Sequence, residues 1–412
     1  MKKILVLMLL FACGCCLKIH GQDRRPIYLH GLKETHAEWD NWSTLFAAER
    51  RMTAGDNQDH PSQTGVLDFV NHVPFLTNNN SILFGHSMGG IVGRHMERTR
   101  TNPFSGIITA GSPLDGARIA NSLTGGQIGS YVTNGIDKVL KGPIRQLGPA
   151  QGVLYQVASH YFKSLAEAYI NTLIQEKMSS QSATDLAENS PYMNNGHRTA
   201  TSTMPKIHIY GNENSPVLWR IVSINKGWTD GYLVGVTQQA YDVCVASKVV
   251  NINAAFANPI LAPQYTYIAD GWDTSAKWIK NDSENGWNDL IGASTPTSKQ
   301  VTSSVTNWTA MNQCLSQYHP ATTQQYAQCQ QQNTQNVTTT VYSTVNGISD
   351  GFIKATSSTG FLSTWSENAA KIEALGVNHL EMKDHAAIKQ IYNNIFDGAI
   401  PGINSVFLTV RR

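Results

Sequence analysis

Charge is scarce in this chain: only 15% of its 412 residues are Asp, Glu, Lys or Arg, and 31 basic residues nearly cancel 29 acidic ones. No basic stripe interleaved with aromatics appears, so nothing points to nucleic acid as a partner. Long apolar runs are lacking too. The stretch from Ile4 to Ala12 is too short to span a bilayer, and no other segment is long enough to do so. Cysteine is sparse, six in all, and no Cys/His spacing signals zinc. The sequence calls for no metal and no cofactor.

What little charge there is near the start has a pattern. Lys2 and Lys3 followed by Ile4 to Ala12 read as an export signal over residues 1–22. A lipoprotein anchored through Cys13 is the alternative, because Leu10-Phe11-Ala12-Cys13 roughly matches a lipobox. The expected exported chain, 23–412, is long enough for one large α/β domain with insertions. Lys2, Lys3 and Lys18 fall in the leader, leaving 28 basic residues against 29 acidic, a balance suited to neutral substrates or a lipid–water interface. Of the cysteines only Cys244, Cys314 and Cys329 remain. Cys314 and Cys329 frame a short polar segment with Pro320, which predicts a loop staple in an oxidising compartment, Cys244 staying free or taking one partner's place.

The most informative segment is Ser81-Ile82-Leu83-Phe84-Gly85-His86-Ser87-Met88-Gly89-Gly90. Its first four residues, Ser81 to Phe84, are strand-like, and Ile91, Val92, His95 and Met96 follow at helical spacing. A serine between two glycines at a strand-to-helix turn is the pattern of a nucleophile elbow, whose crowding requires near-absent side chains two positions either side. Acyl transfer from such a serine also needs two backbone donors for the oxyanion. Met88, after the nucleophile, supplies one. Arg24 to Leu32 reads as an early strand running into a His30-Gly31 turn, which makes the Leu32 N–H the candidate for the other.

With these residues the chain resembles the secreted bacterial lipases of the α/β-hydrolase fold. That family pairs a His-Gly-hydrophobic turn after an early strand with a Gly-His-Ser-hydrophobic-Gly elbow. Gly106 to Ala117, Asp185 to Tyr192 and Lys206 to Gly211 are similar to its following segments, in order. The resemblance implies a mostly parallel central sheet flanked by helices, interrupted here by a helical cap insertion near 114–204 and a second, polar insertion near 215–346.

In this fold the triad runs Ser, acid, His along the chain, so the partners of Ser87 belong beyond residue 211. Three Asp-Gly pairs compete. Asp350, in Ser349-Asp350-Gly351-Phe352, is similar to the family's acid loop; Asp230 is the alternative acid, and Asp270 reads as a plain turn. For the base, His379 and His385 lie six apart. The apolar period of Ile388, Ile391, Tyr392, Ile395 and Phe396 predicts a helix capped by Asp384 and stopped at Gly398. His385 would open that helix, where the dipole disfavours an imidazolium. His379, in the preceding loop, is therefore the expected base and His385 the alternative. His36, His60, His72 and His319 read as solvated or loop residues.

The insertions are less informative. Leu154, Val157, Tyr161, Leu165, Tyr169 and Leu173 recur at helical spacing, fitting either a mobile lid or a fixed wall of an acyl pocket. The second insertion has aromatic helical stretches around Trp272, Trp278 and Trp287. Then, from Leu290 to Ser349, a single charged residue, Lys299, stands among Gln, Asn, Ser and Thr. With Trp308, Tyr318 and two cysteines that stretch reads as an ordered surface subdomain of no assigned role. The expected activity is hydrolysis of carboxylic esters, lipid esters foremost. An acyltransferase or amidase on the same fold, or an exported binding protein without catalysis, are the alternatives. Oligomeric state is not readable.

Overall fold

The computed structural model describes residues 24–39, 59–73, 81–147, 180–196, 198–213, 217–220, 232–306, 310, 313–314, 316–317 and 323–409. The leader with Cys13, the periodic segment from Leu154 to Leu173, Asp230 and His319 lie outside them. Two compact units divide the chain, 294–346 and the remainder.

In the larger unit the strands are β1 (Arg25–Leu29), β2 (Ser81–His86), β3 (Gly106–Ala110), β4 (Lys206–Asn212) and, beyond the smaller unit's β5 (Ser294–Thr306) and β6 (Thr334–Asn346), β7 (Ala370–Leu375). They form one parallel sheet in the order β1-β2-β3-β4-β7. Alternation explains why it is buried on both sides. Tyr28, Ile82, Phe84, Ile108, Ile207 and Ile209 point to one face, where helix Ala386–Phe396 packs through Ile388, Tyr392, Ile395 and Phe396. Ile27, Leu29, Leu83 and Ile107 point to the other, against helices Val66–His72 and Met88–Thr99. Apolar side chains on successive positions are the signature of a parallel sheet covered by helices. The architecture is mixed α/β.

Helices Tyr232–Ala257 and Ala262–Lys277 follow, then a wide turn of helix at Trp278–Asp282 and α1, Ser283–Ile291. Asp270-Gly271, expected as a turn, lies inside the second of these, because packing against the helix at 127–147 overrides local turn preference. Among the described residues no helix is long and apolar enough to cross a membrane.

The smaller unit is an antiparallel ribbon, β5 paired with β6 from Ser294↔Asn346 to Thr306↔Thr334. Cys314 and Cys329 are joined by a disulfide in its connecting segment, and Cys244 of the larger unit is free and buried.

Candidate active site

The candidate residues collect at the carboxyl edge of the sheet, where parallel strands release their loops. Ser87 follows β2 directly and occupies the N-cap position of helix Met88–Thr99 with φ 50 and ψ −122. A left-handed backbone on a non-glycine residue is strained by roughly 1–3 kcal/mol and persists only where the surroundings enforce it. They do so here: a Cβ on Gly85 would stand 2.5 Å from the Gly90 nitrogen, and one on Gly89 2.2 Å from the Leu29 oxygen. The Ser87 N–H is held by the Ala110 carbonyl at 3.0 Å. Its hydroxyl does not cap the helix.

That hydroxyl meets His379. Nε2 of the ring lies 3.0 Å from Ser87 Oγ, and Nδ1 lies 2.8 Å from Asp350 Oδ2. Asp350 is fully buried, and its other oxygen accepts the N–H groups of Phe352 (3.0 Å) and Ile353 (2.7 Å). The two loops are tied directly, His379 N–H donating to the Asp350 carbonyl at 2.7 Å. Gly111, at φ +59, closes the floor: a Cβ there would lie 2.9 Å from Asp350 Oδ2 and 3.1 Å from His379 Nδ1. The structure thus brings Ser87, His379 and Asp350 into one hydrogen-bonded chain.

Gly31 abuts Ser87, its missing Cβ only 2.9 Å from Ser87 Cβ, which brings the turn holding Leu32 beside it. The Leu32 and Met88 N–H groups donate to no protein acceptor among the described residues. His385 is not in the chain. It is the N-cap of helix Ala386–Phe396, with Nδ1 accepting the Ala387 N–H at 3.2 Å, and so takes the place expected for Asp384. The stop at Gly398 is as expected, with φ +68. His60 departs from the solvated reading: it is buried, its ring 5.1 Å from Phe69, and its N–H donates to His30.

Several residues at this edge carry no sequence signal. Glu34 accepts the Gly31 N–H (2.6 Å) and lies 2.8 Å from His86 Nδ1; its second oxygen accepts from Lys383 (2.7 Å), which also reaches Glu38. Burial alone would raise the Glu34 carboxyl, but His86 and Lys383 hold it well below the usual carboxylate range. Burial pushes the His86 ring down, with Glu34 opposing. Both neighbours of that ring are acceptors, Glu34 and, 3.1 Å from Nε2, the His379 carbonyl. A neutral ring carries one N–H and can donate to only one of them at a time. Trp287 of α1 donates its indole N–H to the Gly351 carbonyl at 2.8 Å and meets Phe352 edge-on; Phe352 in turn lies 5.5 Å from the His379 ring. The spacing of Gly31 and Glu34, three apart, is the one local hint among these contacts.

Such an arrangement can move a proton from a hydroxyl to an imidazole backed by a buried carboxylate, with two amide donors beside it. No protein-family model matches the chain, and neither does any curated protein.

Proposed function

We propose that the protein is a serine hydrolase of carboxylic esters, lipid esters foremost, on an α/β-hydrolase fold. The observation that carries this reading is the unbroken chain from a strained Ser87 through His379 to Asp350, at 3.0 and 2.8 Å. Buried, aligned partners of this kind activate an otherwise inert hydroxyl.

In the proposed reaction His379 Nε2 takes the Ser87 proton as Oγ attacks the ester carbonyl. The Leu32 and Met88 N–H groups hold the oxyanion, and Asp350 steadies the imidazolium. His379 then protonates the leaving alcohol, and water, activated by the same ring, releases the acid. Export is part of the proposal, supported by the short basic–apolar leader and by the Cys314–Cys329 bridge, which suits an oxidising compartment.

A fluorophosphonate probe tests the chemistry. The parent should be labelled and Ser87→Ala should not; an unlabelled parent overturns the reading. Rates on p-nitrophenyl esters from acetate to palmitate test the substrate, and activity confined to acetate rejects lipid esters.

A further inference from the structure

Arg220 is an unusual side chain to find beside a catalytic loop: a buried guanidinium with acceptors on opposite sides. Nη1 donates to Glu213, itself buried, and to the Gly376 carbonyl at 2.8 Å. Nη2 donates to both oxygens of Glu381, each at 2.9 Å. These partners bracket the base. Gly376 lies three residues before His379, and Glu381 two after.

Glu381 is also half of a capping box. It accepts the Asn378 N–H at 3.1 Å, while Asn378 Oδ1 accepts the Leu380 and Glu381 N–H groups. Glu213 reaches the acid loop through its backbone, its N–H donating to the Ser349 carbonyl at 2.8 Å. Arg220 is seated in turn by α1: Glu284 accepts the N–H groups of Val217 and Leu218, at the start of the turn that carries Arg220. One cation thus joins the exit of β4 to both flanks of His379.

We propose that Arg220 is a positioning residue of the ester hydrolysis put forward above, and the inference rests on that reading. Its planar fork fixes Glu381 and the Gly376 carbonyl, and through them the approach of His379 Nε2 to Ser87. Without the guanidinium, Glu381 loses both Nη2 hydrogen bonds that hold its oxygens beside the Asn378 turn. Lysine, a point charge, cannot hold both Glu381 oxygens in this way. A shift of about 1 Å in a catalytic group costs on the order of 100-fold in rate.

The test compares the parent with Arg220→Ala, Arg220→Lys and Glu381→Gln in fluorophosphonate labelling, ester kinetics and thermal melting. Arg220→Ala should lose about 100-fold in kcat and Arg220→Lys about 10-fold, with KM nearly unchanged. Guanidinium at non-denaturing concentration should restore part of the Arg220→Ala rate and leave the parent unaffected. A labelled parent with an Arg220→Ala variant of parental kcat overturns the inference and spares the hydrolase reading; an unlabelled parent overturns both. Should Arg220→Ala fail to fold, Glu381→Gln decides. Its amide oxygen still accepts the Asn378 N–H, so a 10-fold fall in kcat is expected on the scale of a sub-ångström shift, and a parental kcat refutes the role of Arg220.

Discussion

Replacing Asp350 by Asn changes one atom and, by the geometry of its site, the protonation of a residue it touches. Asp350 Oδ1 accepts two backbone N–H groups, from Phe352 and Ile353. In the amide the oxygen must stay on that side, because an NH2 there would face two donors and leave both buried N–H groups unpaired, at about 1–3 kcal/mol each. The new NH2 therefore points at His379 Nδ1, now 2.8 Å from Oδ2. Nδ1 becomes the acceptor, the ring proton moves to Nε2, and the nitrogen facing Ser87 can no longer take its proton. The imidazolium also loses its counter-charge. Together these should lower kcat by about 10³–10⁴-fold, or ~4–5.5 kcal/mol in the barrier, with KM little altered. Initial rates on a p-nitrophenyl ester, beside thermal melting to show an intact fold, measure it. Asp230→Asn is the companion variant and should keep the parental rate. A loss below about 10-fold at Asp350, or a greater loss at Asp230, refutes the assignment of the acid.

Three further outcomes follow from the same contacts. Gly111→Ala combines about 1–2 kcal/mol of backbone strain with a methyl pressed on the Asp350–His379 pair, so activity should fall at least ~10-fold for a melting shift of only a few degrees; unchanged kinetics refute the contact. Trp287→Phe keeps the ring but deletes the donor to Gly351, and should cost about 1 kcal/mol of stability and roughly 10-fold in kcat, a parental kcat showing that the indole does not steady the acid loop. His208 is fully buried between Thr109 and Ser366, and burial holds its pKa at about 3 against 6.5 for a free ring. As pH falls the unfolded chain takes the proton first, so the stability from the neutral ring is complete above pH 6.5 and drains away towards pH 3. That amounts to ~2 kcal/mol by pH 5. Denaturant unfolding across this range should be less pH-dependent in His208→Gln, and equal slopes reject the linkage.

The residues that could be read in advance are those whose chemistry is enforced locally. Ser87 is legible because an elbow demands glycine two places either side and a strand before it. His379 separates from His385 because the apolar period of Ile388 to Phe396 marks a helix start, and that start takes the His385 ring as its N-cap. Strand β7 escaped because it is an edge strand with Lys371 and Glu373 exposed and only Ala374 fully buried, so its alternation carries little apolar signal. Arg220, Lys383 and Trp287 were invisible for another reason. Each is defined by a partner far away in the chain, 161, 349 and 64 positions respectively, and no local pattern encodes such a pairing.

Helix α1, within the second insertion, reaches two loops of the candidate site. Glu284 and Trp287 are three apart on α1, hence on one face of it. The first holds the turn that bears Arg220, and so the loop of His379; the second holds the Gly351 carbonyl, and so the loop of Asp350. Each hydrogen bond is worth only about 1 kcal/mol. Their value to the proposed reaction lies in entropy: fixing a loop residue costs about 1–2 kcal/mol, and a free acid loop and base loop would each meet that cost in the transition state. Ordered beforehand from one short helix, Asp350 and His379 meet it during folding, where the apolar packing of Trp287, Leu290 and Ile291 offsets it.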